Sequence, residues 1–177
     1  MEIVIDAEII CGYFKETVLE TTSPLSGKSG FIFERIGSED LAFLDEEGQI
    51  EYEWRSVVDL EWFDPWYARL LSDGGAILIP TEPCHTLHKQ LEQLGFPRGS
   101  RDIWYIRTAM AVVKRYGQAI ILTEDMDFYD PTQKQSAAKH RHRILHSGNG
   151  KVARHLRRKE CVHIKCVASY YELIPAE

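Results

Sequence analysis

Residues 119–127 read AIILTEDMD, an aliphatic run that ends in three carboxylates within four positions, Glu124, Asp125 and Asp127. An apolar run without alternation is the pattern of a strand covered on both faces. Just upstream, 102–116 carries apolar residues at helical spacing and runs into Gly117, which predicts a helix ended by that glycine. Working outward, the same pairing repeats. EIVID at 2–6, LAFLD at 41–45, AILIP at 76–80, QAIILT at 118–123 and CVHIKCV at 161–167 read as strands. Residues 7–19, 49–60, 83–94, 102–116 and 150–159 read as helices, and FDPWYARLLSDGG at 63–75 reads as a helix broken at Pro65. SPLSGKSG at 23–30 has turn chemistry, and FIFERI at 31–36 suits either a short helix or an extended piece. Strands alternating with helices predict an α/β fold, a three-layer sandwich with a central, mainly parallel sheet. One domain over 1–177 is expected, with a basic insertion at about 131–149 that has the least regular pattern.

The formal net charge of −6 is unevenly spread. Residues 131–159 hold nine Lys and Arg and no Asp or Glu, so this segment is +9 and the remainder −15; it also carries four of the seven histidines. An acidic body with one basic segment points to a polyanion or an acidic partner at that segment. No apolar run reaches the roughly 20 residues of a membrane span. MEIVID lacks the basic start and apolar stretch of a signal peptide, so a cytoplasmic location is expected. Cys11, Cys84, Cys161 and Cys166 form no CxxC pair and read as reduced thiols in or near the core.

Ligands of open parallel sheets bind beyond the carboxyl ends of the strands. Asp6 ends the first strand, and Asp125 lies two residues past AIILT. Asp102 opens the helix that leads back to that strand, and Glu53 lies about one turn into the helix after LAFLD. All four are expected at one sheet edge. Each has an ordinary reading as well: Asp6 and Asp102 as helix caps, Glu53 as a solvated helix residue with Glu51 as its rival. Together they form a carboxylate cluster whose mutual repulsion a divalent cation would relieve.

These stretches resemble the PIN domain, a family of metal-dependent nucleases found among toxin–antitoxin toxins and RNA-processing enzymes. IVIDAEIICGYF at 3–14 matches the first strand and acid, RDIWYIRTAMAV at 101–112 the third acid, and IILTEDMDF at 120–128 the fourth. LAFLDEEGQIEYEWRSVV at 41–58 resembles the L-D-x-x-G-x-I-x-x-E-Y pattern of a bacterial PIN-like subgroup, with Trp54 in place of the tyrosine. The resemblance implies Asp6, Glu53, Asp102 and Asp125 as catalytic metal ligands, Asp127 as an extra one, and Mg2+ or Mn2+ as the cofactor. It implies an endonuclease acting on phosphodiesters, single-stranded RNA first and DNA second. The chain departs from the family where Ala7 and Glu8 follow the first acid, and in its basic insertion.

Lys139, Arg141, Arg143, Lys151, Arg154, Arg157 and Arg158 are the candidate nucleic-acid contacts, the last three sharing a face of the 150–159 helix. His140, His142 and His146, joined by Cys161, form a rival zinc site, though zinc sites usually show tighter paired spacings. Two other functions remain open: a PIN-like binding module without catalysis, and a toxin or defence protein held by a protein inhibitor or antitoxin. A homodimer is a further partner left open. Trp54, Trp62, Trp66 and Trp104 sit in apolar stripes and are expected in the core. No GxSxG occurs and no cysteine has an evident base beside it, so covalent catalysis is not expected.

Overall fold

The computed structural model describes residues 1–23, 25 and 28–173. Five strands, β1 (Glu2–Ile5), β2 (Leu41–Asp45), β3 (Ala76–Ile79), β4 (Ala119–Leu122) and β5 (Val162–Lys165), form one sheet in the order β3-β2-β1-β4-β5. Every pair is parallel, so the mainly parallel expectation becomes a wholly parallel sheet between helical layers. Ile3 sits beside Ala42 on one side and Ile120 on the other, which puts β1 at the centre. Ile3, Val4, Ile5, Ile121 and Leu122 are fully buried, as their unbroken aliphatic pattern requires.

Nine helices are found among the described residues: α1 (Ala7–Thr17), α2 (Ser29–Arg35), α3 (Gln49–Ser56), α4 (Leu60–Ser72), α5 (His85–Gln93), α6 (Ile103–Tyr116), α7 (Ala138–Ser147), α8 (Lys151–Glu160) and α9 (Val167–Tyr171). α6 lies across the sheet, buries Tyr105, Ile106, Ala109 and Val112, and ends at Gly117 with φ 90°. FIFERI resolves as the body of α2; Pro24, Ser26 and Gly27 of the adjoining turn lie outside the described residues.

Three expectations are corrected. The helix at 49–60 ends at Ser56, and a second begins at Leu60, where the Asp59 side chain accepts from the Trp62 amide at 3.2 Å. Pro65 therefore sits inside α4 rather than breaking it. Its missing N–H leaves the carbonyl of Glu61 without a helical donor, but Glu61 is exposed, where solvent can reach that carbonyl. The insertion at 131–149 is also more regular than expected, with a 3-10 turn at Pro131–Gln133 followed by α7. α7 buries no residue fully; Ile144 and Leu145 hold it against the core from one side.

Trp54 is fully buried, whereas Trp62, Trp66 and Trp104 are partly buried at the rim of the core. All four cysteines are free thiols; Cys166 is buried and Cys161 exposed. No helix among the described residues is long and apolar enough to cross a membrane.

Candidate metal centre

The strand order reverses between β1 and β4, which makes the cleft beyond their carboxyl ends the place where an open α/β sheet binds its ligand. Asp6 follows β1 directly, and its amide donates to the Leu122 carbonyl at 3.0 Å. That ladder bond sets Asp6 beside Thr123. The buried Thr123 hydroxyl donates to the Asp6 carboxylate and accepts from the Asp125 amide at 3.0 Å. Asp6 also accepts weakly, at 3.5 Å, from the Glu8 amide, so the helix-cap reading is realised alongside the functional one.

The chain then turns sharply. The Asp125 side chain accepts from the Asp127 amide at 2.9 Å and returns Asp127 to the same side. Asp102 reaches this point from the start of α6. It makes no capping bond there; the Ser100 hydroxyl donates to it at 2.6 Å. One carboxylate oxygen from each of Asp102, Asp125 and Asp127 lies within 4.8 Å of the other two. Glu124 is turned away, accepting from the Val167 amide at 2.8 Å and anchoring the start of α9. The three acids of TEDMD thus divide into one structural carboxylate and two that face the cleft.

Glu53 stands outside the triad and is linked by Tyr105 to the start of α1, next to Asp6. The buried Tyr105 hydroxyl donates to Glu53 at 2.8 Å and accepts from the Ala7 amide at 3.3 Å. α3 is aimed by two further bonds. Asp45 accepts from the Gln49 and Ile50 amides at 2.7 and 2.8 Å, and the Trp54 indole donates to the Ile5 carbonyl at 2.9 Å. Glu51 pairs instead with Arg55 at 2.7 Å.

The electrostatics follow from crowding carboxylates in a recess. Burial raises the Asp6 carboxyl to about 7; the Thr123 bond opposes this, and Glu8, Asp102 and Asp125 add to it. Asp102 is raised by burial and by Asp125 and Asp127, against the Ser100 bond. Burial also raises Glu53, with Tyr105 opposing and Asp102 adding, and raises Glu8, with Asp125 adding. Asp127 is raised by burial while Lys134 opposes. Lys134 is the ammonium of the cluster, 2.5 Å from Asp127 and 3.5 Å from Asp125.

The donor set fits a hard divalent cation. Its atoms are carboxylate oxygens alone, which suit Mg2+ and Mn2+. Ligand oxygens on one octahedral Mg2+ lie at most about 4.2 Å apart, so the three carboxylates would need to draw together only slightly around an ion. Asp102, Asp125 and Asp127 would hold the ion, with Asp6 and Glu53 adjoining.

Sequence reasoning missed Glu8, Thr123, Tyr105 and Lys134. A signal existed only for Thr123, the polar residue closing an aliphatic run before the acids. The rival zinc site does not assemble. His140 contacts Arg143 at 2.9 Å, His146 contacts Glu172 at 3.1 Å, and the acid triad is the sole group of three or more His, Cys, Asp or Glu side chains with converging ligand atoms among the described residues.

Of the basic candidates, Lys151, Arg154 and Arg158 line a shallow groove of about 310 Å³ with Leu94, His155 and Lys159. Arg157 instead lies toward His163, whose pKa burial lowers first, with the Lys165 and Arg157 charges adding. Lys139 and Arg143 line a separate, larger hollow along α7 with His140, His142 and His146, and Arg141 donates to the Ser136 carbonyl at 2.5 Å. The acid loop and α8 are joined: the Val152 amide donates to the Tyr129 carbonyl at 2.9 Å.

No family model, no curated protein and no solved structure matches this chain.

Proposed function

We propose that the chain is a Mg2+- or Mn2+-dependent endonuclease of PIN-like organisation that hydrolyses single-stranded RNA. The observation that carries this reading is the convergence of the Asp102, Asp125 and Asp127 oxygens beside Asp6 at the point where the strand order reverses. When bound, the ion supplies Lewis-acid activation of the phosphodiester and of water. The chain's own part is positional. Asp125 and Asp127 are fixed by their shared turn, Asp102 by Ser100, Asp6 by Thr123, and Glu53 by Tyr105, which burial keeps protonated and therefore donating. The Lys151, Arg154 and Arg158 side chains supply cationic contacts for the phosphodiester backbone, which an acidic body otherwise repels.

The test is cleavage of a labelled single-stranded RNA, with its DNA counterpart alongside, with and without Mn2+. Asp102→Asn should keep the fold and lose at least about a hundredfold in rate, the scale on which a charge-stabilising group acts in a water-excluded site. Wild-type-like cleavage by the Asn variant would remove Asp102 from the site.

A second reading is favoured by one observation. Lys134 already neutralises part of the cluster, as expected of a metal-free binding module. Such a module would bind a basic protein partner and show neither cleavage nor a Mn2+-dependent melting temperature.

A further inference from the structure

The helix that carries Glu53 also carries an aromatic residue that the metal-centre reading leaves without a role. Tyr52 precedes Glu53 in α3 and is 57 % exposed, the largest exposure among the exposed aromatic side chains. The Arg101 guanidinium lies over its ring, 5.1 Å from the centroid, and Arg101 directly precedes Asp102. The pair therefore spans two of the elements that deliver acids, and the Arg101 charge acts on Glu53. A second cation–aromatic pair nearby shows the contrast. Arg107 lies 3.7 Å over Trp104 but is committed to the Glu82 carbonyl at 3.1 Å and to Glu47 at 3.9 Å. Arg101 takes part in no ion pair among the described residues and is exposed. One pair is a strut, and the other is open to a ligand.

We propose that Tyr52 and Arg101 form a stacking shelf for a nucleobase next to the phosphate held at the acids, and that this shelf restricts the cleft to unpaired strands. The proposal rests on the nuclease reading and adds its substrate selectivity. Asp6 and Asp127 are buried, so a phosphate must enter a recess while its base is accommodated outside. A base in a duplex is already stacked and cannot turn onto the shelf. An unpaired base can, against the phenol ring or the guanidinium plane. The uncommitted charge of Arg101 also offsets the negative potential that the phosphate meets.

The test is binding of a labelled single-stranded RNA 12-mer, and of the same sequence as a duplex, to the full chain in Ca2+. Wild type, Tyr52→Ala and Tyr52→Trp are compared. Tyr52→Ala should weaken single-strand binding about tenfold and leave duplex binding unchanged, with Tyr52→Trp close to wild type. Equal single-strand affinity in wild type and Tyr52→Ala overturns the shelf while leaving the nuclease reading standing. An equal loss for both RNAs overturns it too, since a general loss of charge or fold is not base stacking. Failure of the wild type to bind either RNA overturns the nuclease reading, and the shelf with it. Tyr52→Trp, with its melting temperature, keeps the test decisive if the Ala variant is poorly folded.

Discussion

Two buried aspartates sit at opposite ends of the sheet and have opposite fates. Asp40, just before β2, is 1 % exposed and receives the Arg35 guanidinium at 2.9 Å, the amino group of Met1 at 2.7 Å and the Tyr170 hydroxyl. Burial alone would raise its pKa, but these bonds overcome burial and hold it below the usual range. Asp6, at the end of β1, is buried almost as deeply and receives one neutral hydroxyl while three carboxylates surround it. The first charge is compensated from within and ties α9 to the sheet. The second is not compensated, which costs stability that an external cation would return.

The largest effect should come from the compensated charge. Asp40→Asn leaves Arg35 with only the exposed Glu39 and is expected to cost about 4 kcal/mol at neutral pH, measured by urea unfolding. Because the Asp40 pKa is lowered, its stabilisation is present above about pH 4 and lost as pH falls through the folded value. A cost under about 1 kcal/mol would mean that the network is ornamental.

Asp6→Asn should act with the opposite sign. A carboxyl raised from 3.8 to about 7 binds a proton in the folded state that the unfolded state has released. The wild type without divalent ions should therefore lose stability as pH rises from about 4 to about 7. Asp6→Asn should remove that slope, gaining up to about 4 kcal/mol at pH 8 and nothing near pH 4. Parallel pH profiles for the two proteins would show that the Asp6 charge is compensated after all.

The smallest effect belongs to Lys134, which is 44 % exposed. Lys134→Met should cost about 1 kcal/mol in EDTA, and the difference should close in millimolar Mn2+, because an ion at the proposed centre would take the oxygens that the ammonium holds. A difference that persists unchanged in Mn2+ would place the ion elsewhere.

The sheet was legible because its strands are aliphatic runs, and burial on both faces leaves no other composition for them. The convergence of Asp6, Asp102 and Asp125 was legible for a related reason: parallel topology fixes which end of each element lies at which edge. What the sequence concealed depends on register and on short-range turns. Thr123 matters because one ladder bond sets it beside Asp6, and nothing in TEDMD separates Glu124 from its neighbours until β5 and α9 are in place. Lys134 reaches the acids only because two successive 3-10 turns fold 126–133 back on itself. Pro65 misled because its cost depends on whether the orphaned carbonyl meets water, which a sequence pattern does not encode.

Gly150 starts α8 with its Cα pressed on Tyr129, where an added Cβ would lie 2.0 Å from the Tyr129 carbonyl oxygen. The chain leaves the sheet region at Tyr129 and returns to the same point twenty-one residues later. Everything between is an excursion whose two ends are already fastened together. Loop-closure entropy grows only slowly with length, so that stretch can lengthen or shorten at little cost to the body as long as Lys134 still reaches the acids and Ile144 and Leu145 still pack on the core. The glycine acts as the hinge pin of an interchangeable part. Through it, α7 and its basic residues could be exchanged without rebuilding the cleft, provided Lys134 is kept and residue 150 stays without a side chain.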